Sequence, residues 1–313
     1  MKWKIITRAF WLALSLTRFA FPSLAPASEM NRGGDYSGTH PALPPISLKE
    51  QVVRIPLRVP SPSGERRLSL EATVYRPPWP GPSPLLVLSH GTSRDLVKRR
   101  ERKAYAAQSR ALVNLGFAVV IPMRRGYGNS EGSYAEEEGL CEQARYYEAG
   151  MQSAQDLLAT VSYMAAQPYV DPKRVVLAGH SSGGFASLAL ASQGFPGLLG
   201  VINFGGGRGS RADKVCSPPA LIAAFAKFGR TIRVPTLWLY AENDSYFPPP
   251  LVRELYRAFT EAGGRARLIM LPPFSEEGHY LFNDKQGVPL WITLVESFVR
   301  SLGVPRPPWI PGQ

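Results

Sequence analysis

The 313-residue chain has little cysteine and little histidine, two of the first and four of the second. Two cysteines, Cys141 and Cys216, are too few for a disulfide scaffold, and they could either form one bridge in an oxidising compartment or remain two buried thiols. Neither has metal-ligand spacing and the histidines are scattered, so no metal site is expected. The chain also lacks any unbroken apolar run of about 20 residues, which excludes a membrane-spanning helix. Nothing in it resembles a nucleic-acid motif. Its densest basic cluster, Lys98-Arg99-Arg100-Glu101-Arg102-Lys103, has no interleaved aromatics and reads as a solvated helix face, so no nucleic-acid partner is expected. What remains is an ordinary globular composition, 44 % hydrophobic, with a net charge of +12. That charge bears on association and solubility rather than on fold.

The first 27 residues have the pattern of an export signal. Lys2, Lys4 and Arg8 give a basic start, Ala9 to Leu16 an apolar run, and Ala25-Pro26-Ala27 a small-x-small cleavage site before Ser28. An exported protein, periplasmic or secreted, is therefore expected. A start at Met30 would instead leave it cytoplasmic. Residues 28–47 are rich in Gly, Pro, Ser and Asn and read as a mobile arm, residues 48–303 as one folded domain, and residues 304–313 as a proline-rich, surface-docked tail.

Within the domain two alternating stretches, Val52 to Val59 and Leu68 to Tyr75, flank Ser61-Pro62-Ser63-Gly64 and predict a hairpin at a sheet edge. From Leu85 the pattern changes to short apolar runs: Leu85 to Leu88, Ala118 to Ile121, Val175 to Leu177, Val201 to Phe204, Thr236 to Tyr240 and Ala266 to Leu271. Such runs suit strands buried on both faces. Helical patterns alternate with them, over Arg99 to Leu115, Gln143 to Ala166, Gly183 to Ser192, Leu251 to Ala262 and Leu290 to Leu302. An α/β fold with an eight-stranded, mostly parallel sheet flanked by helices follows. Between Phe204 and Thr236 there is room for little more than one helix, so no large cap domain is expected.

The strongest chemical signal is Gly179-His180-Ser181-Ser182-Gly183, which follows a predicted strand and opens a predicted helix. A nucleophilic serine at such a sharp turn is presented at the C-terminal edge of the sheet, beside the N–H groups of the helix start. A serine hydroxyl needs a base. His40 lies in the arm, His180 within the elbow and His90 at a strand end, which leaves His279, after the last strand, as the candidate. The acid that orients it is expected between serine and histidine in chain order, just after a strand. Asp244 fits, with Glu242 as its rival. The oxyanion of an acyl-transfer intermediate would be held by the N–H of Ser182 and by that of Thr92, or alternatively Ser93, in Ser89-His90-Gly91-Thr92-Ser93. His90, Tyr246, Phe247 and Tyr280 are candidates to line the substrate pocket, with Phe274 nearby. Arg125-Gly126-Tyr127-Gly128-Asn129-Ser130 reads as a turn shaping the pocket wall.

These residues resemble the serine-nucleophile α/β-hydrolases related to dienelactone hydrolases and to the catalytic domain of prolyl-oligopeptidase-like enzymes, over roughly Leu68 to Leu302. The elbow, the Ser–Asp–His order, the approach segment Gln167-Pro168-Tyr169-Val170-Asp171-Pro172-Lys173-Arg174 and the turn Arg125-Gly126-Tyr127-Gly128 carry the likeness. The resemblance implies the α/β-hydrolase fold and cofactor-free acyl-enzyme chemistry on a small-molecule ester. A small serine aminopeptidase or amidase with the same triad is the second expectation. A hydrolase-fold protein that only binds its ligand is the third.

Overall fold

Strand β3 (Ser83–Ser89) is buried along its whole length, as its unbroken apolar run requires, and its side chains alternate between two cores. Leu85 and Val87 face one, Leu86 and Leu88 the other, the period-2 signature of a strand covered on both faces. The computed structural model describes residues 48–62, 64–93, 95–211 and 214–307. The expected export signal, the expected arm up to residue 47 and the last six residues lie outside the described residues.

The expected hairpin is present as β1 (Glu50–Ser61) and β2 (Gly64–Tyr75), antiparallel in a register running from Glu50 opposite Tyr75 to Ser61 opposite Gly64. It leads into β4 (Ala118–Pro122), β5 (Val170–His180), β6 (Leu198–Phe204), β9 (Thr236–Ala241) and β10 (Ala266–Leu271). These eight strands lie in the order β1-β2-β4-β3-β5-β6-β9-β10, and from β4 to β10 all neighbours are parallel. The helices are α1 (Leu96–Arg99), α2 (Ala106–Asn114), α3 (Tyr146–Ala165), α4 (Ser182–Gln193), α5 (Pro218–Thr231), α6 (Pro249–Glu261) and α7 (Val288–Ser301). Residues of α3, α4, α5 and α6 pack on one face, around Phe185, Phe225, Phe228 and Trp238. Those of α2 and α7 pack on the other, around Phe204, Phe282 and Trp291.

Two features depart from the sequence reading. The helix expected over Arg99 to Leu115 is cut short: α1 ends at Arg99, α2 starts only at Ala106, and the non-helical stretch between them ends at Tyr105 with φ of 45°. The basic run has no apolar stripe to bury. Instead, Arg102 reaches across to the edge hairpin, to Thr73 Oγ1 and to Glu50 Oε1, both at 2.6 Å. Between β6 and β9 the chain adds, besides the anticipated single helix α5, a two-stranded ribbon of β7 (Ser210–Arg211) and β8 (Lys214–Val215). No separate cap is present among the described residues. The cysteine alternative resolves as a bridge, Cys141 to Cys216, with Cα atoms 5.2 Å apart, which ties the loop after β4 to the segment after β8. At the other end Arg300 holds the carbonyls of Val304 and Pro305, and Pro307 lies against Gly116.

Candidate active site

Strand β5 ends at His180 and α4 begins at Ser182, so Ser181 occupies the turn itself, with φ of 56° and ψ of −126°. That is a left-handed region costly for a residue with a side chain, and it persists because the surroundings enforce it. A Cβ on Gly179 would lie 2.3 Å from the carbonyl carbon of Gly183, and one on Gly183 only 2.1 Å from the carbonyl oxygen of Ser89. Both positions must be glycine for β5, α4 and the end of β3 to approach this closely. The Ser181 N–H donates to the Phe204 carbonyl at 2.9 Å, fixing the elbow to the neighbouring strand.

The structure brings the candidate acid and the candidate base together. His279 Nδ1 lies 2.9 Å from Asp244 Oδ2, with both side chains buried. The other carboxylate oxygen of Asp244 accepts the N–H groups of Tyr246 and Phe247, each at 2.9 Å. An acceptor-only carboxylate at Nδ1 places the ring proton there and leaves the Nε2 lone pair free. Glu242, the rival acid, is exposed and makes no hydrogen bond to His279 among the described residues. Glu277, which sequence reasoning missed, accepts the His279 N–H at 2.8 Å and also binds Ser245, so it anchors the base loop to the acid loop. Its position two residues before His279 was the only available signal.

The His279 ring is held by rings. Tyr246 stacks on it at 4.3 Å and 9°, Phe247 tilts against it at 5.5 Å, and His180 lies 4.7 Å away. His180 Nε2 donates to the His279 carbonyl at 2.8 Å, so the residue preceding Ser181 is bonded directly to the base loop. Burial, reinforced by the neighbouring imidazole, pushes His180 down to about 3, which keeps it neutral. Ser181 Oγ itself makes no hydrogen bond among the described residues, an arrangement common before substrate arrives.

The two oxyanion candidates adjoin the elbow, Ser182 as the residue after Ser181 and Thr92 next to Gly91, on which a Cβ would lie 3.2 Å from that of Ser181. Among the described residues neither the Ser182 nor the Thr92 N–H donates to a protein acceptor, and the two hydroxyls touch, Thr92 Oγ1 to Ser182 Oγ at 2.7 Å. The alternative, Ser93, is engaged through its carbonyl, which accepts from Arg99 Nε. Beneath them sits a charged cluster that no motif announced. Arg124 is fully enclosed and donates to Ser89 Oγ (2.8 Å), to the His90 carbonyl (2.7 Å) and through Nε to Glu136. Arg208, also enclosed, donates to Glu136 Oε2 at 2.8 Å and to Ser153 Oγ at 2.7 Å. Burial alone would raise Glu136, but the two guanidiniums outweigh it and hold the carboxyl well below the usual carboxylate range.

The four pocket candidates separate. Tyr280 is exposed, and its hydroxyl meets that of Tyr246 at 3.0 Å at the rim. Phe247 is buried behind His279. The expectation that His90 lines the pocket is corrected: its ring is fully enclosed against Tyr127 and its Nε2 accepts the Arg124 N–H. Burial first, then the Arg124 charge, pushes it down to about 3, so it stays neutral.

With this geometry in view, the similarities to known proteins are specific about fold. Residues 66–216 match the model of the X-Pro dipeptidyl-peptidase (S15 family), a span that contains Ser181 and stops short of Asp244 and His279. The acylaminoacyl peptidase of Pyrococcus horikoshii superposes with a TM-score of 0.59 at 14% identity over 86% of this chain, which spans only 43% of that longer protein. Est1E from Butyrivibrio proteoclasticus superposes at 0.52 and 16% identity over 80% of this chain and 100% of its own. A dienelactone hydrolase-like promiscuous phosphotriesterase, P91, from metagenomic libraries gives 0.54 and 16% over 81% and 98%. The eight-stranded sheet, the serine elbow and these neighbours together establish that the chain has the α/β-hydrolase fold, in keeping with the serine-hydrolase group its sequence resembles.

Proposed function

We propose that the protein is a serine hydrolase that cleaves carboxylic esters through an acyl-enzyme. The observation that carries this reading is the buried Asp244–His279 pair, which leaves Nε2 free, together with a serine held in the elbow conformation whose preceding residue, His180, is bonded to the His279 carbonyl. His279 takes the Ser181 proton as Oγ attacks the ester carbonyl. The negative charge that develops on the carbonyl oxygen meets the N–H groups of Ser182 and Thr92, with the α4 N-terminus adding its positive end. His279 then gives the proton to the leaving alcohol. A water activated by the same imidazole hydrolyses the acyl-enzyme and regenerates Ser181.

A second reading, hydrolysis of amides or peptides by the same three groups, draws on the S15 family match and on the acylaminoacyl peptidase likeness. The test is common to both. Wild-type protein should react with a fluorophosphonate probe and turn over p-nitrophenyl esters, whereas Ser181→Ala, with an unchanged thermal transition, should do neither. Undiminished ester turnover in that variant would refute the assignment of Ser181. Faster cleavage of aminoacyl anilides than of esters would move the reading to the peptidase.

A further inference from the structure

The two oxyanion candidates come from distant parts of the chain, Thr92 from the loop after β3 and Ser182 from the first turn of α4. Their N–H groups can act together only if something fixes the distance between them. Their hydroxyls belong to a closed run of contacts, buried at Arg124 and Glu136 and part-buried at Thr92. Arg124 Nη2 lies 3.4 Å from Ser182 Oγ, Ser182 Oγ 2.7 Å from Thr92 Oγ1, Thr92 Oγ1 2.7 Å from Tyr127 OH, and Tyr127 OH 3.5 Å from Glu136 Oε2. The Arg124–Glu136 ion pair closes the ring. Tyr127, Glu136, Arg124 and Ser182 are all at least nine-tenths buried.

The direction of every proton in this ring is decided by its ends. A guanidinium only donates, and a carboxylate held ionised by two arginines only accepts. All four contacts are hydrogen bonds in one arrangement alone: Arg124 donates to Ser182, Ser182 to Thr92, Thr92 to Tyr127 and Tyr127 to Glu136. Reversing any hydroxyl leaves one with no acceptor in the ring. The Thr92 and Ser182 hydroxyl protons are thereby committed away from the reacting carbonyl, and both side chains are pinned while their N–H groups stay free. Bonds aligned head to tail in a water-poor interior strengthen one another, so the ring stiffens as a unit.

We propose that Arg124, Tyr127 and Glu136 are positioning residues that set the separation of the two oxyanion donors. The proposal rests on the ester-hydrolase reading given above. Arg208 serves the same end one step removed, because it fixes Glu136 from the side opposite Arg124. The ring touches neither Asp244 nor His279, so its loss should weaken transition-state binding while leaving the base intact.

Tyr127→Phe deletes one hydroxyl and keeps the ring that packs on His90 at 4.5 Å. Its kcat on p-nitrophenyl esters should fall by about tenfold or more, with KM changed by less than about twofold. Affinity for an alkyl trifluoromethyl ketone, whose hemiketal places an oxyanion at the site, should fall in step with kcat/KM. Affinity for the matching secondary alcohol, which has no carbonyl, should hold. Thr92→Val, which breaks the same chain at another link, should show the same split and serves if Tyr127→Phe does not fold. Tyr75→Phe, which removes a hydroxyl bonded to Glu50 at the distant edge hairpin, controls for general loss of stability and should leave both affinities unchanged. Wild-type kcat and ketone affinity in both ring variants would overturn the proposal, as would equal weakening of ketone and alcohol. Either outcome leaves the ester-hydrolase reading standing so long as Ser181→Ala is inactive. Activity in Ser181→Ala would instead fail that reading itself.

Discussion

The two sides of Ser181 are built from different materials. On the side of the candidate base, a single buried hydrogen-bonded pair, Asp244–His279, is wrapped in rings: Tyr246 stacked, Phe247 and His180 tilted. On the other side, the oxyanion candidates rest on two buried arginines, one buried glutamate and a run of hydroxyls. On the ester-hydrolase reading, the difference follows from what each side would have to do. An imidazole that shuttles a proton has to change charge, and flat rings hold its orientation without committing Nε2 to a partner. Oxyanion donors never change protonation, so a rigid network of fixed charges serves them, in spite of the desolvation that burying those charges costs.

The largest effect should come from breaking the ring-wrapped side. In Asp244→Asn the amide can still bond Nδ1, but it favours the wrong imidazole tautomer. On the ester-hydrolase reading kcat should fall by about 10⁴ at neutral pH, with the fold retained. Steady-state turnover together with a thermal melt checks this. A loss of less than about tenfold would mean that Glu242 or water replaces the acid.

A smaller but global effect is expected on the other side. Glu136→Gln removes the one carboxylate shared by Arg124 and Arg208, leaving the buried Arg124 without a carboxylate partner and Arg208 with Glu138 alone, which should lower stability by about 3–5 kcal/mol in denaturant unfolding. The pH dependence follows from the depressed carboxyl. Because its folded value lies below the ordinary 4.5, the stabilisation is complete above that pH and is lost as pH falls beneath it. The acid limb of stability against pH should therefore be flatter in Glu136→Gln than in the wild type. An unchanged midpoint together with an identical acid limb would show that the pair contributes nothing to the folded state.

Legibility in the sequence divides along the same line. The ring-wrapped side could be read because each of its groups stands in a local context: a serine between glycines at a strand-to-helix turn, an aspartate just past a buried strand, and a single histidine left by elimination. The eight strands were legible for a similar reason, since runs such as Leu85 to Leu88 carry their burial in their own composition. The charged side could not be read. Arg124, Glu136 and Arg208 are linked only by tertiary contact, and an arginine in sequence carries no mark of being enclosed. Tyr127 was visible as part of a turn, yet its hydroxyl bond to Thr92, 35 residues away, belongs to the folded packing. The split of the expected first helix had the same origin, because Arg102 gains more from Glu50 and Thr73 across the sheet edge than from a helical turn with no apolar face.

The smallest effect on the site, and the one that sharpens the contrast between its sides, should come from the Cys141–Cys216 bridge. It closes a separation of 75 residues, and on the chain-entropy account its removal should cost about 2–4 kcal/mol of stability. The bridge joins the loop that carries Glu136 and Glu138 to the segment that Arg208 begins, and those two segments are also joined by the Arg208–Glu136 and Arg208–Glu138 pairs. Neither Asp244 nor His279 lies on them. In a Cys141→Ser/Cys216→Ser double variant, amide exchange should therefore quicken in residues 131–145 and 205–217 while the loops around Asp244 and His279 keep their protection. On the ester-hydrolase reading, turnover should stay within about threefold of wild type, because the enclosed ion pairs still hold the end of β3 through Ser89 and His90 once the covalent tie is gone. Faster exchange around His279 would mean that the two sides of Ser181 are mechanically one unit, and the contrast between them would then lie in composition alone.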